Sequence, residues 1–476
     1  MPKSNRPKVD RKARMKMAPV PTPERPPEER VRDFDEILVL YSMEEAVLEA
    51  SRCLQCPTAP CQKACPIHND IPAALWLLEQ GDVVGAAEVY RRTSTLPEIC
   101  GMLCPQTFCQ DACVLNKAGK PINTRRLETF INAARVEQDG EPLPEKAPPS
   151  GKKVAVIGSG PAGLTVAELL TIAGHEVVVF ERHPRPGGLL LYGIPNFKLD
   201  KKRVERKIAW LEALGVEFRC GVDVGKAITF EQLRAEYDAI FLGMGAHRPV
   251  VPRIPGVELK GVHLALEFLS RANLPFEILP PEWQEEKPFG PRIHVLGGGD
   301  TAMDCIRTAV RLPGVTEATC YYRRSEAEMP AHAEDYRHAL EEGGRFVWQA
   351  SPVRFLGDEQ GRLKAIVYQR MELGEPDESG RRRPVPIPGS EFTVEVDDVV
   401  LALGFRPDPS ALEQIPGLEL ERWGSPKVES QETGRTSVPG LFAAGDLVRG
   451  ASLVAPAVAD ARKVAQAMDA YLRGEG

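Results

Sequence analysis

The sequence predicts an α/β protein in which a helical N-terminal module precedes two strand-helix-strand units. Three observations carry this. Eight of the eleven cysteines fall between Cys53 and Cys113. A stretch with four prolines, residues 139–150, closes that segment and reads as a linker. Beyond it, short β-branched runs at 154–157 and 176–180 flank a helical pattern, and runs at 293–296 and 318–322 repeat the arrangement. At 476 residues the chain exceeds one ordinary core, so two or three domains are expected.

Within the cysteine module, Ser42 followed by Glu45 reads as a capping box, and Ala46, Val47 and Ala50 share one face of the helix leading to Cys53. A second helix is expected from Ile71 towards Gln80. Upstream, Lys3, Arg6, Lys8, Arg11, Lys12, Arg14 and Lys16 precede Pro19, Pro21, Pro23, Pro26 and Pro27. This basic, proline-rich start reads as a flexible, solvated arm over residues 1–35. No apolar stretch follows it, so neither a secretory signal nor a membrane anchor is expected, and the location read from the sequence is cytoplasmic. The net charge of −7 removes the usual electrostatic basis for nucleic-acid binding.

The first cysteine group runs Cys53-x2-Cys56-x4-Cys61-x3-Cys65 before Pro66; the second runs Cys100-x3-Cys104 before Pro105, then Cys109-x3-Cys113. Close thiolates of this kind, with a last cysteine that serves a neighbouring centre, are the ferredoxin pattern, and eight give two 4Fe-4S clusters. A Cys-x2-Cys pair also builds tetrahedral zinc sites. Two Cys-Pro steps beside nucleotide motifs favour iron and sulfur.

The run at 154–157 ends in Gly158, Gly160 and Gly163, the Gly-x-Gly-x-x-Gly turn that lets backbone approach a pyrophosphate at a helix N-terminus. Glu181 ends the next strand, where a carboxylate accepts hydrogen bonds from an adenosine ribose. Gly187 and Gly188 form a second small-residue turn. Near the C-terminus, Gly445 and Asp446 follow an apolar run, and a helical stretch after Val454 directs its positive end towards the same cofactor. These features together read as an FAD site.

Gly297, Gly298, Gly299, Asp300, Thr301 and Ala302 form a second phosphate turn. The strand after it ends in Tyr322, Arg323 and Arg324 where the first unit has Glu181. Guanidinium groups there accept a 2′-phosphate that a carboxylate would repel, so the expected nucleotide is NADPH.

With these motifs in place, and with Tyr192 to Leu199 and Arg323-Arg324-Ser325 before Met329-Pro330, the chain resembles the small (beta) subunit of NADPH-dependent glutamate synthase over nearly its whole length. It is similar also to the large subunit of NADH-dependent ferredoxin:NADP oxidoreductase and to the N-terminal half of dihydropyrimidine dehydrogenase. The resemblance implies a helical 4Fe-4S domain (36–145), then two Rossmann-like domains with the NADPH domain inserted into the FAD domain. The implied parts are 151–285 for FAD, 290–400 for NADPH and 401–476 for the rest of the FAD domain. It implies that Cys53, Cys56, Cys61 and Cys113 hold one cluster, and Cys65, Cys104 and Cys109 the other, with Glu128 or Cys100 as eighth ligand. It also places Lys198 at the flavin edge, and Ala461 where relatives often carry glycine. The implied activity is NADPH oxidation, with electrons passed through FAD and the clusters to a partner. That partner is a separate large synthase subunit or, alternatively, a flavin and iron-sulfur chain of a ferredoxin:NADP oxidoreductase.

Overall fold

Helices fill the N-terminal third because its apolar residues recur at helical spacing and its caps are local. In the computed structural model, which describes residues 6–284, 288–378 and 380–475, Ser42 and Glu45 form the expected capping box of the helix Met43–Ser51. Lys3, residue 285 and Gly476 lie outside the described residues. Asp70 caps Ile71–Glu79 and Asp82 caps Val83–Arg91. Pro97–Leu103 then packs on Thr124–Asp139 so closely that a Cβ at Gly101 would lie 2.6 Å from Thr129 Oγ1.

The basic start departs from the solvated arm expected of it. Asp10 caps a helix, Arg11–Lys16, and Arg11 donates to the carbonyls of Leu54 and Gln55. Arg14 pairs with Glu79 at 2.6 Å and Arg6 with Asp70 at 2.9 Å. Arg30, 1% exposed, meets Glu341 at 2.7 Å and Glu342 at 2.8 Å. These four arginines are thus matched by carboxylates and loop carbonyls that lie far along the chain.

The first nucleotide unit is a five-stranded parallel sheet in the order Leu441–Ala443, Ala239–Leu242, Lys153–Ile157, Glu176–Glu181, Glu217–Cys220. The second is also parallel, ordered Val262–Leu264, Asp398–Leu401, Arg292–Leu296, Glu317–Tyr322, Arg345–Trp348. A three-stranded antiparallel sheet, Ala350–Gly357, Leu363–Pro376 and Arg382–Glu395, extends it. The second unit therefore interrupts the first, and the two crossings pair with each other, Arg248 with Arg406 and Pro249 with Phe405.

Both boundaries shift from the expected ones. Val262–Leu264 pairs in parallel register with Asp398–Leu401, so this strand and the helix Ala265–Asn273 belong with the second sheet and not with 151–285. Leu401 likewise ends the second sheet and does not open the returning part of the first. A three-residue strand has no period to read, and only its partner assigns it. Phe197, from the first unit, packs against the guanidinium groups of Arg307 and Arg311, which lie 4.5 and 4.2 Å from its ring centre. Among the described residues no helix is long and apolar enough to cross a membrane.

Candidate functional site

The first phosphate turn opens onto a cavity of about 470 Å³ lined by Gly158, Gly160, Glu181, Gly188, Asp446 and Val454. The turn is built by close approach. A Cβ at Gly163 would lie 1.9 Å from the Gly158 carbonyl oxygen, and one at Gly188 would lie 2.7 Å from Gly160 Cα. At Gly160 an added Cβ meets nothing within 4 Å, so the open space is on the side a pyrophosphate would take. Glu181 is buried, and its oxygens accept from the backbone nitrogens of Ser159 at 3.2 Å and His183 at 2.8 Å. Ser159 Oγ also donates to Glu181 and accepts from Gly187 N at 2.9 Å, tying the two small-residue turns together. Sequence reading passed over Ser159, because a serine inside a glycine turn looks like filler.

Gly445, with φ of +70°, swings Asp446 into the cavity, where a Cβ on that glycine would come 2.9 Å from Ala162. Asp446 Oδ1 is buried with no hydrogen-bond partner, and burial pushes its carboxyl up to about 6. A buried acceptor without a donor fits a hydroxyl-bearing ligand. Leu453, Val454 and Ala457 start the long helix Val454–Leu472 at the same wall. These residues fit FAD.

The second turn repeats the construction: a Cβ at Gly297 would strike the Ala402 carbonyl oxygen at 2.2 Å, while at Gly299 there is open space. Asp300 begins the helix Asp300–Ala309 and accepts from His332 N and Nδ1, each at 2.9 Å; Asp300 in turn raises the His332 pKa. Asp300 and Thr301 line a second cavity, about 630 Å³, while Ala302 is buried beneath the turn. Of the two arginines, Arg323 is exposed and Arg324 is 4% exposed.

Lys198 is not at the wall of the first cavity. It lines the second, with Nζ 2.9 Å from Asp304 and 3.0 Å from Asp335. Against the desolvation of burial, these two carboxylates hold its pKa above the usual lysine value. The residue thus fastens the inserted unit to the first one. The cavities share Leu189, Ile194, Asp446 and Val454, and on its far side the second reaches Met102, Leu103 and Pro105, which flank Cys104.

The cysteines separate into two sets. Cys53, Cys56, Cys61 and Cys113 line one small cavity. Arg52, buried and paired with Glu49 at 2.6 Å, donates to the Lys120 carbonyl and so anchors the loop after Cys113 beside Cys53. Besides burial, the Glu128 carboxylate pushes the thiols of Cys65, Cys104 and Cys109 up, and the neighbouring Cys100 pushes that of Cys104 up further. Burial pushes Cys53, Cys65 and Cys109 up to about 12, a cost that a bound metal cation reverses by taking thiolates.

Glu128 is also buried, and burial lifts it to about 8 against one hydrogen bond, from Asn69 Nδ2 at 3.2 Å. Thr93 Oγ1 donates to Asn69 Oδ1 at 2.6 Å, and the fully buried Tyr90 hydroxyl has no partner. Neither Asn69 nor Tyr90 stands in a motif. The packing of Val83–Arg91 against Thr124–Asp139 brings Tyr90 to this set, and hydrogen bonds to Glu128 and Thr93 hold Asn69 there. The eleven cysteines form no disulfide.

Residues 30–140 match the family described as dihydropyrimidine dehydrogenase domain II, 4Fe-4S cluster, and residues 152–461 match the pyridine nucleotide-disulphide oxidoreductases. Fold and site define the class: an oxidoreductase in which a 4Fe-4S domain precedes a pyridine nucleotide domain pair. The chain is 42% identical over 456 residues to the glutamate synthase (NADPH) small chain of Halomonas elongata, covering 94% of this chain and 95% of that one. It is 39% identical over 461 residues to the small chain of Escherichia coli K12, covering 95% and 97%. It belongs to the family of these glutamate synthase small chains. The putative oxidoreductase AegA of E. coli is 41% identical over 453 residues, 94% of this chain but 68% of AegA. Among solved structures, FprA of Mycobacterium tuberculosis in complex with NADPH shares the fold at a TM-score of 0.55 and 21% identity, covering 69% of this chain and 87% of that one.

Proposed function

We propose that this chain is an electron-input subunit that oxidises NADPH and delivers the electrons through two 4Fe-4S clusters to a separate large subunit of the glutamate synthase type. One observation supports this above the others. Asp300 and Thr301 at the helix start of the second phosphate turn, Asp446 and Val454 of the first cavity, and Met102, Leu103 and Pro105 around Cys104 line one inter-domain space. Bound FAD would supply the conversion between the two-electron chemistry of a nicotinamide and the one-electron chemistry of a cluster.

The protein's own residues bind and orient. Gly158, Gly160 and Gly163 admit the pyrophosphate, and Glu181 takes the adenosine ribose. Asp446 accepts from the ribityl hydroxyls, and the Val454 helix end favours negative charge on the ring. On the nicotinamide side, Gly297, Gly299 and Thr301 hold the second pyrophosphate, and His332 fixes Asp300 at the start of its helix. Cys53, Cys56, Cys61 and Cys113 take the outer cluster. Cys65, Cys104, Cys109 and Glu128 take the one nearer the flavin. Glu128 is preferred over Cys100 as eighth ligand because its carboxyl is buried and, among the described residues, meets one neutral donor, Asn69, and no cation. Free, clustered thiols suit a reducing cytoplasm.

The alternative reading is an input module for another acceptor chain, which the similarity to the longer AegA favours. The test is anaerobic purification with quantification of iron, acid-labile sulfide and flavin, followed by NADPH-dependent dye reduction. About eight irons per chain and rapid turnover are expected. Zinc in place of iron, or no turnover with NADPH, contradicts the proposal. A synthase large subunit that fails to accept the electrons would turn it to the alternative.

A further inference from the structure

We propose that the N-terminal helix Arg11–Lys16 is a potential-setting element of the outer cluster: it clamps the loop 53–56, and Arg11 brings an unpaired positive charge to the set Cys53, Cys56, Cys61 and Cys113 that favours the reduced state. This rests on the two-cluster reading above and gives a role to an arm that the electron path has not used.

The arm takes hold of the loop by its backbone. Arg14 Nη1 donates to the Cys53 carbonyl at 2.8 Å. Arg11 donates through Nε to the Leu54 carbonyl at 3.0 Å and through Nη2 to that of Gln55 at 3.1 Å. Three successive carbonyls between the first two cysteines of the set are therefore satisfied by one six-residue helix. The loop needs such holding, because Gln55 has φ of +49°, in the left-handed region that a residue with a side chain rarely adopts. Its side chain is fully buried and donates to the Pro72 carbonyl at 2.8 Å. The long helix of the module thus holds the side chain of Gln55, and the arm holds its carbonyl.

The charges on the arm are not equivalent. Arg14 is paired with Glu79 at 2.6 Å and Arg6 with Asp70 at 2.9 Å. Asp10, next to Arg11, accepts from the backbone nitrogens of Lys12 and Ala13. Arg11 makes no ion pair among the described residues, and only neutral carbonyls meet its guanidinium. At Cys56, burial and the neighbouring Cys113 push the thiol up, and the charges of Arg11 and Arg6 oppose them. The field that favours a thiolate there also favours a reduced cluster, since each electron delivered adds one negative charge to the set. A cation at this place therefore raises the reduction potential. Because Arg11 is exposed, salt screens its effect.

The test uses the full chain with flavin and clusters in place, in anaerobic redox titrations followed by electron paramagnetic resonance, with iron counted beforehand. In Arg11→Gln the midpoint of one cluster should fall, so that its reduced-to-oxidised ratio at a fixed potential drops by about threefold, while the other cluster keeps its midpoint. Arg11→Lys, which keeps the charge, should restore most of the shift. At about 1 M salt the gap between wild type and Arg11→Gln should close, and the wild-type midpoint of the same cluster should itself move down. A wild-type midpoint in Arg11→Gln, or a shift that neither lysine nor salt alters, overturns the proposal, the latter by leaving the arm a purely structural clamp. If Arg11→Gln loses iron, the salt series on the wild-type chain decides, and equal responses of the two clusters overturn the proposal. Iron and sulfide insufficient for two clusters in the wild-type chain would instead remove the two-cluster reading beneath it.

Discussion

The two phosphate turns are made alike and finished differently. In each, a glycine at positive φ brings the first strand's end against a neighbouring strand's carbonyl. A Cβ would lie 2.6 Å from Gly243 O at Gly158 and 2.2 Å from Ala402 O at Gly297. In each the next strand lies in parallel register beside the first. They part at that strand's end, where Glu181 is buried among backbone donors and Arg323 stands exposed. The common backbone device suits a pyrophosphate of either nucleotide, and in the proposed reading one position about twenty residues on separates the two. Anchoring differs as well. Lys198, Arg30, Arg125 and Arg126 all reach the inserted unit across domain borders, so its orientation depends on the rest of the chain.

The comparison is broken most severely at the glycines. Gly163→Val should abolish flavin retention, read as flavin released per chain. Gly297→Val should abolish NADPH oxidation while flavin stays bound. If either variant lost both, the sites would not be separable. Reversing the charge in Arg323→Glu comes next. It should cut kcat/KM for NADPH by about a hundredfold and leave that for NADH nearly unchanged in dye-reduction assays, since attraction for a facing phosphate is turned into repulsion.

A smaller effect is due at Asp446. Asp446→Ala should weaken flavin by about tenfold in a fluorescence titration, as one hydrogen bond to the bound hydroxyls is lost. The smallest concerns the anchoring of the inserted unit. Against the desolvation of burial, His338 and Arg337 hold Glu24, and Arg311 and Arg307 hold Glu342, at about 2 instead of 4.5. Their folded-state values are depressed, so the stability they contribute is full above pH 4.5 and is lost as the pH falls towards 2. Thermal unfolding followed across that range should show the loss, and Arg30→Gln should lessen its acid-sensitive part by removing one partner of Glu342.

What could be read from the sequence was local. The glycine turns, Glu181, Asp446 and the cysteine spacings carry their chemistry within a few residues, and Ser42 with Glu45 specified its helix end. The remainder depended on residues far apart in the chain. The strand Val262–Leu264 is too short to show a period and takes its identity from Asp398–Leu401. The basic start looked solvated because its partners, Glu79, Glu341 and Glu342, lie in other elements. Lys198 belongs to a readable motif, but its ion-pair partners Asp304 and Asp335 lie far along the chain and show in no pattern. Asn69 and Tyr90 sit in no motif and were invisible until packing brought them to the cysteines.

The most direct measurement is anaerobic rapid mixing of the flavin-loaded and iron-loaded chain with NADPH and, separately, with NADH, following flavin bleaching and cluster absorbance together. The account predicts fast bleaching with NADPH, slow bleaching with NADH, and cluster reduction that follows the flavin. Equal rates with both nucleotides, or clusters that stay oxidised while the flavin bleaches, would contradict it.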